Sequence, residues 1–371
     1  MRLSTGRHRR TRTLSIAAAV AVAAGAGGVY LGLSDGGAQA ATRTVTVSTT
    51  AQLETAVRHA SAGTVIEVRG GTYTLSATLK SAANGTSSAR IVVRAHDGEQ
   101  VRIDGSGLAD GSRLAAIDGD YWTVQDLTFQ NSPAQGFVAT SSVGGVFKNL
   151  VTAHNGDSGF TLRGDGTTDN LVQNLDSHGN HDPAGRGRNA DGIAVKFGSG
   201  AGNRITGARL YDNSGDGLDL WQFSSSVRIE HTWAFGNGNG FELGGGGVTV
   251  GHVVSNNAAW DNTGDGFTES SNRGGIVLNR NTAYGNGGVG FHFASGKARL
   301  ARNLAVGNEE GLSELGASAV SAANSWDRGV VTPAFKSTDG VGVYGARRSG
   351  GGLPSVEFLT TGSTVIGSTM D

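Results

Sequence analysis

NSGDGLDLWQFSSSVRIEHTWAFGNGNGFEL, residues 213–243, carries the reading of the fold. Within it the pairs Gly217-Leu218 and Gly240-Phe241 stand 23 residues apart, and each follows an asparagine, Asn213 and Asn237. Between the pairs, VRIEHTWAF alternates in side-chain character with the period of two that marks a strand. The unit recurs in both directions: Gly136-Phe137, Gly159-Phe160 and Gly192-Ile193 lie before it, Gly266-Phe267 and Gly290-Phe291 after it, at spacings of 23, 33, 25, 23, 26 and 24. Asn131, Asn155, Asn189, Asn262 and Asn286 are read as the corresponding corner asparagines, and WTVQDLTF, NLVQNLDS, NRITGARLY, GIVLNRNTAY and ARLARNLAV as the strands.

A unit of about 24 residues with two or three short strands, Asn and Gly at its corners and no helix is one coil of a parallel β-helix, an all-β solenoid. A leucine-rich horseshoe would need columns of Leu, and a propeller would need longer blades. The 33-residue interval holds an insertion, HGNHDPAGRGRNAD (residues 178–191), which is expected to bulge outward beside one coil. Long loops on a rigid frame tend to line binding sites.

Composition agrees. Of 371 residues 62 are Gly, 4 are Pro and none is Cys, which excludes collagen, a disulfide framework and a thiolate metal site. With 37% hydrophobic and 16% charged residues the chain has a large core to bury. Residues 1–40 read as a signal peptide: Arg2, Arg7, Arg9, Arg10 and Arg12, then an apolar run, then Ala38-Gln39-Ala40. A secreted, extracellular single-domain protein of residues 41–371 is expected, with no membrane contact in the mature form. Without the signal segment, 25 basic residues face 30 acidic ones, a net charge of −5, so no nucleic-acid partner is expected. Leu53, Ala56, Val57 and Ala60 share one helical face with Thr50 as N-cap, an N-terminal cap within about 45–65. Regular coils are expected over about 115–308 and an irregular tail over 309–371. The solenoid is expected to act as a monomer.

Aligning the coils on the Gly-apolar pair makes columns. The residue after the apolar one reads Val138, Thr161, Ala194, Asp219, Glu242, Thr268 and His292; the residue before the glycine reads Gln135, Ser158, Asp191, Asp216, Asn239, Asp265 and Val289. Asp191, Asp216, Asp219 and Glu242 therefore cluster across three coils. Stacked carboxylates about 5 Å apart repel unless a cation sits among them, and several oxygens on a rigid frame suit Ca²⁺. Asp-Gly is also a common turn pair, and for Asp265 a corner role alone is expected. A further column, two residues before each corner asparagine, reads Phe129, Ala153, His178, Tyr211, Phe235, Trp260, Tyr284 and Val306, and is read as a structural aromatic stack.

The stretch from Asn170 to Leu220, with WAFGNGNGFELGGGG and GGIVLNRNTAYGNG after it, resembles the family 9 polysaccharide lyases, pectate lyases built on a right-handed parallel β-helix. The similarity extends through GTYTLSATL, YWTVQDLTF and ANSWDRG to nearly all of the mature chain. What it implies is calcium-dependent β-elimination of de-esterified pectin, polygalacturonate, with a lysine as base. The family's calcium-binding aspartates fall on Asp191, Asp216 and Asp219, and a fourth on Gly215. The family's base motif GNGFKLGG stands here as GNGFELGG, with Glu242 in the lysine's place.

Three outcomes stay open at this point. Glu242 replaces the missing fourth ligand while Lys196, at the end of DGIAVK, takes the proton; or Glu242 pairs with Asp219 or Asp216 for hydrolysis on an acidic polysaccharide; or the scaffold binds glycans without catalysis. Arg186, Arg188 and Arg273, with Arg163, are candidate partners for uronate carboxylates.

Overall fold

The computed structural model describes residues 42–371 apart from 184, 186, 363 and 364. The expected signal peptide lies outside the described residues, as does Arg186. Every inter-strand pairing between named strands is parallel, and three sheets run the length of a right-handed solenoid. The first has twelve strands, from Arg43–Val47 to Val320–Ala322. The second runs from Leu79–Ser81 to Gly311–Leu315 and the third from Gly71–Thr74 to Leu304–Val306, ten strands each. Pairing thus begins well ahead of residue 115, because the early coils pair without the Gly-apolar signature.

One helix, Thr50–Arg58, packs Leu53 and Val57 into the end of the core. Its N-cap is Thr49 rather than Thr50: Thr49 Oγ1 accepts the Gln52 N–H at 3.3 Å, and the extended backbone of Thr49 precedes the helix. Inside the solenoid, like residues stack on like. Phe137 lies on Phe160 at 5.3 Å between ring centres, and Phe241, Phe267 and Phe291 follow at 4.7 and 4.9 Å.

The corners are held by asparagine side chains. Asn155, Asn180, Asn213, Asn237, Asn262, Asn286 and Asn308 each accept the backbone N–H of the coil before, at 3.0 to 3.3 Å. Two corner positions differ from the sequence reading. Asn180, not Asn189, serves the long coil, because the insertion lies after the corner; Ser132, not Asn131, begins the ladder. That one-residue shift moves Phe129 into the core and puts Gln130 opposite Ala153.

The aromatic column is structural, as expected. His178, Tyr211, Phe235 and Trp260 stack at 4.6, 5.1 and 4.3 Å. The C-terminal segment covers it with Val343, Leu353, Phe358 and Met370. Asp176 fastens that segment: it binds Arg209 through both oxygens, at 2.9 and 2.8 Å, and Arg347 at 2.6 Å, while Arg209 reaches the Val343 and Gly345 carbonyls.

Candidate active site

Five charged side chains meet on the second sheet. Asp191 enters the strand Ile193–Ser199 that carries Lys196, Asp216 enters Leu218–Asp219, and Glu242 ends Phe241–Glu242. The backbone register pairs Val138, Thr161, Ala194, Asp219, Glu242, Thr268 and His292 in succession, the column read from the sequence.

The column before the glycines has a second use. Asp191 Oδ1 accepts the Asp216 N–H at 3.0 Å, Asp216 Oδ1 that of Asn239 at 2.7 Å, Asn239 Oδ1 that of Asp265 at 2.8 Å, and Asp265 Oδ1 that of Val289 at 2.7 Å. One oxygen per residue thus ties successive coils together, and in the aspartates the second oxygen is left for other contacts. Asp191 Oδ2 meets Lys196 Nζ at 2.7 Å and the Ser158 hydroxyl at 3.1 Å. Asp265 is a corner residue that also binds His292 Nδ1, at 2.9 Å, through its second oxygen.

Lys196 Nζ lies 2.5 Å from Asp219 Oδ2, while Asp219 Oδ1 accepts the Trp221 N–H at 2.8 Å. Glu242 accepts a hydrogen bond from the Ser270 hydroxyl at 2.8 Å, and its charge acts on Asp216. Four acidic side chains therefore gather near one ammonium, which pairs with Asp191 and Asp219 and leaves Asp216 and Glu242 without a cationic partner among the described residues. Burial, then the charges of Asp191, Glu242 and Asp219, push Asp216 well above the usual carboxylate range. Burial and the Asp191 charge push Asp219 up to about 8. Burial works against the Lys196 ammonium, but Asp191 and Asp219 outweigh it and hold the proton on.

This donor set fits a hard dication. Asp191, Asp216 and Asp219 offer carboxylate oxygens all within 4.8 Å of one another, about twice the ~2.4 Å of a Ca²⁺–oxygen bond. The excess negative charge is of the kind that such an ion compensates. Gly215 adds no ligand, and a Cβ there would lie 2.6 Å from Asp191 Oδ1 and 2.9 Å from the Ala190 carbonyl carbon.

The sequence-selected arginines stand apart from this cluster. Arg188 and Arg273 are exposed, and neither side chain forms an ion pair or hydrogen bond among the described residues. Arg188 belongs to the insertion, whose shape is fixed by buried Asp182: its two oxygens accept the Gly185 N–H and the Asn189 amide, each at 2.7 Å. His181 and Pro183 of that insertion line an open groove of about 600 Å³ with Asn131, Pro133 and His154. Ser158 and Ser270, which steer Asp191 and Glu242, were not singled out from the sequence. Ser158 was visible in the column before the glycines, whereas Ser270 lies outside the columns.

Comparison with known proteins agrees with this architecture. Residues 33–303 match the family model described as Pel9A-like, right handed beta helix region. Pectate lyase PEL9 of Emericella nidulans is 37% identical, over 86% of this chain and 89% of its own. Pectate lyase L of Dickeya chrysanthemi is 32% identical, over 67% of this chain and 62% of its own. The crystal structure of pectate lyase Pel9A superposes with a TM-score of 0.75 at 28% identity, covering 84% of this chain and 83% of that one. A rhamnogalacturonan lyase, at 22% identity and a TM-score of 0.73, shares the fold. With a family model spanning most of the chain and a relative aligned nearly end to end, the protein belongs to the Pel9A-like family 9 polysaccharide lyases and is a polysaccharide lyase.

Proposed function

We propose that the protein cleaves polygalacturonate, the de-esterified form of pectin, by calcium-dependent β-elimination, acting outside the cell as a monomeric single domain. The observation that carries this reading is the group of three mutually close carboxylates, Asp191, Asp216 and Asp219, two of which pair with the Lys196 ammonium. The pectate lyase names of the relatives support the substrate class. Asp191, Asp216 and Asp219 would hold Ca²⁺, with Glu242 completing the oxygen set that Gly215 leaves short. Bound there, Ca²⁺ neutralises the substrate carboxylate and acidifies the proton on the adjacent carbon.

Lys196 is the base in this reading. Asp191 and Asp219 keep its proton on; with those carboxylates engaged elsewhere, the half-buried amine is free to shed it. The amine takes the proton from C5, the electron pair forms the C4=C5 double bond, and the glycosidic oxygen leaves C4 and is protonated by solvent. Glu242 is assigned to the oxygen set rather than to the proton transfer, its carboxylate already accepting the Ser270 hydroxyl.

The test is turnover of polygalacturonate by the purified protein, followed as ultraviolet-absorbing unsaturated product with Ca²⁺ and with a chelator. Product that needs Ca²⁺ is expected. Reducing ends without that absorbance would mean hydrolysis, and no product at all a glycan-binding scaffold; either result overturns the reading.

A further inference from the structure

The strand that carries Lys196 does not keep its alternation. Ile193 and Val195 point into the core and Lys196 out, so Phe197 should point in. It is instead 48% exposed. The register gives the cause: Arg163 pairs with Lys196, but the next pair is Gly164 with Gly198, so Phe197 is an extra residue bulged out of the sheet. Its backbone sits in the left-handed region at φ 52°, a conformation that a bulky side chain rarely adopts. Gln222 of the next coil shares that backbone geometry, so what sets Phe197 apart is the bulge, which re-aims its side chain.

What the bulge aims Phe197 at is Arg163. The guanidinium carbon lies over the Phe197 ring, 5.7 Å from its centre. Arg163 forms no ion pair among the described residues, although the acid cluster begins in the neighbouring coil. An aromatic ring and a planar cation with no acidic partner among the described residues are thus in contact, next to Lys196 in both sequence and register. A pyranose ring offers an apolar face to such a plate, and a carboxylate matches the guanidinium fork. A chain with one carboxylate per sugar that engages the Lys196 coil passes Arg163 one coil away, at about 4.8 Å.

We propose that Phe197 and Arg163 form a saccharide subsite that binds a uronate residue next to the one being cleaved, with the ring on Phe197 and the carboxylate on Arg163. The proposal rests on the uronan-cleaving reading above for its substrate class. Arg163 sets the demand for a free carboxylate, and Phe197 supplies affinity that is the same in ground and transition states. Loss of either therefore raises KM and leaves kcat nearly unchanged.

The test compares wild type, Phe197→Asn, Phe197→Trp and Arg163→Gln. Asn tolerates the left-handed backbone, so Phe197→Asn removes the ring without refolding the bulge. Steady-state turnover of polygalacturonate is read alongside binding of saturated oligogalacturonate by calorimetry in chelator, where no cleavage intervenes. Expected are a roughly tenfold weaker binding and higher KM for Phe197→Asn and Arg163→Gln, rescue by Phe197→Trp, and reduced discrimination against methyl-esterified oligomers in Arg163→Gln alone. Wild-type turnover with unchanged binding in both loss variants overturns the subsite and leaves the lyase reading standing. Ring-dependent binding without any turnover sinks the lyase reading and keeps the subsite. A wild type that neither binds nor cleaves overturns both.

Discussion

Lys196 Nζ and Asp219 Oδ2, on adjacent coils, lie 2.5 Å apart, and Asp191 Oδ2 meets the same ammonium at 2.7 Å. The contact makes Lys196 the internal counter-ion of the site. Replacing it with Gln leaves the acids without compensation, so in chelator the variant is expected to unfold about 3 kcal/mol more readily. Ca²⁺ should restore most of that stability, while product formation falls by at least about 10²-fold. Thermal melts with and without Ca²⁺, set beside turnover, separate the two effects. Normal turnover in Lys196→Gln would remove Lys196 from the chemistry.

Glu242 stands beside Asp219 in the column of the second sheet and accepts the Ser270 hydroxyl. If it serves as an oxygen ligand, Glu242→Gln weakens Ca²⁺ binding about tenfold, a change of about 1.4 kcal/mol, while the Ser270 hydroxyl still finds an acceptor. Glu242→Lys should abolish Ca²⁺ binding and gain no activity. Calcium titration by calorimetry checks the first expectation. An active Glu242→Lys would instead identify a scaffold whose base had been lost.

His252 predicts a pH dependence of stability remote from the site. Its Nδ1 accepts the Val227 N–H at 3.2 Å, as the Asn203 amide oxygen does for Asn170 two coils earlier. Nε2 is buried with no hydrogen-bond partner among the described residues, and burial drives the imidazole pKa down to about 4. Between pH 6.5 and 4 the unfolded chain takes up a proton that the folded chain refuses, so stability falls as pH falls, by up to about 3 kcal/mol. His252→Asn keeps an acceptor and should flatten that limb in denaturant titrations run from pH 7 to 4.

Asp176 gives a second limb at lower pH. Burial raises its pKa, but Arg209 and Arg347 more than offset this and hold it below the usual range. Its contribution is therefore complete above the unfolded value of about 3.9 and is lost as pH falls through the lower folded one. Asp176→Asn leaves two arginines short of their carboxylate, at a cost of about 3 kcal/mol. Limited proteolysis should then cut first in the segment after residue 330. A tail as resistant as in wild type would show that its apolar contacts hold it unaided.

The sequence was most legible where chemistry repeats. The Gly-apolar pairs placed Asp219 beside Glu242 because each pair enters the same sheet at the same step. Legibility failed where one residue was added or displaced. Asn189 resembled a corner asparagine because nothing in the insertion marks where the coil resumes, and its amide in fact holds Asp182. Phe197 was not singled out, because alternation cannot reveal a bulge that depends on the neighbouring strand. The fate of Lys196 was equally hidden: an outward lysine has the same pattern whether it meets solvent or two carboxylates.

The chain of side-chain oxygens through Asp191, Asp216, Asn239 and Asp265 also bears on how such a protein can change over evolutionary time. Each residue there supports the next coil with the one oxygen that asparagine shares with aspartate, and Asn239 already occupies the column. Exchange of Asp191 or Asp216 for Asn would forfeit a charge and keep the stack, whereas Ala would forfeit both. A lineage leaving catalysis therefore has a path of single side-chain exchanges in which the solenoid stays folded.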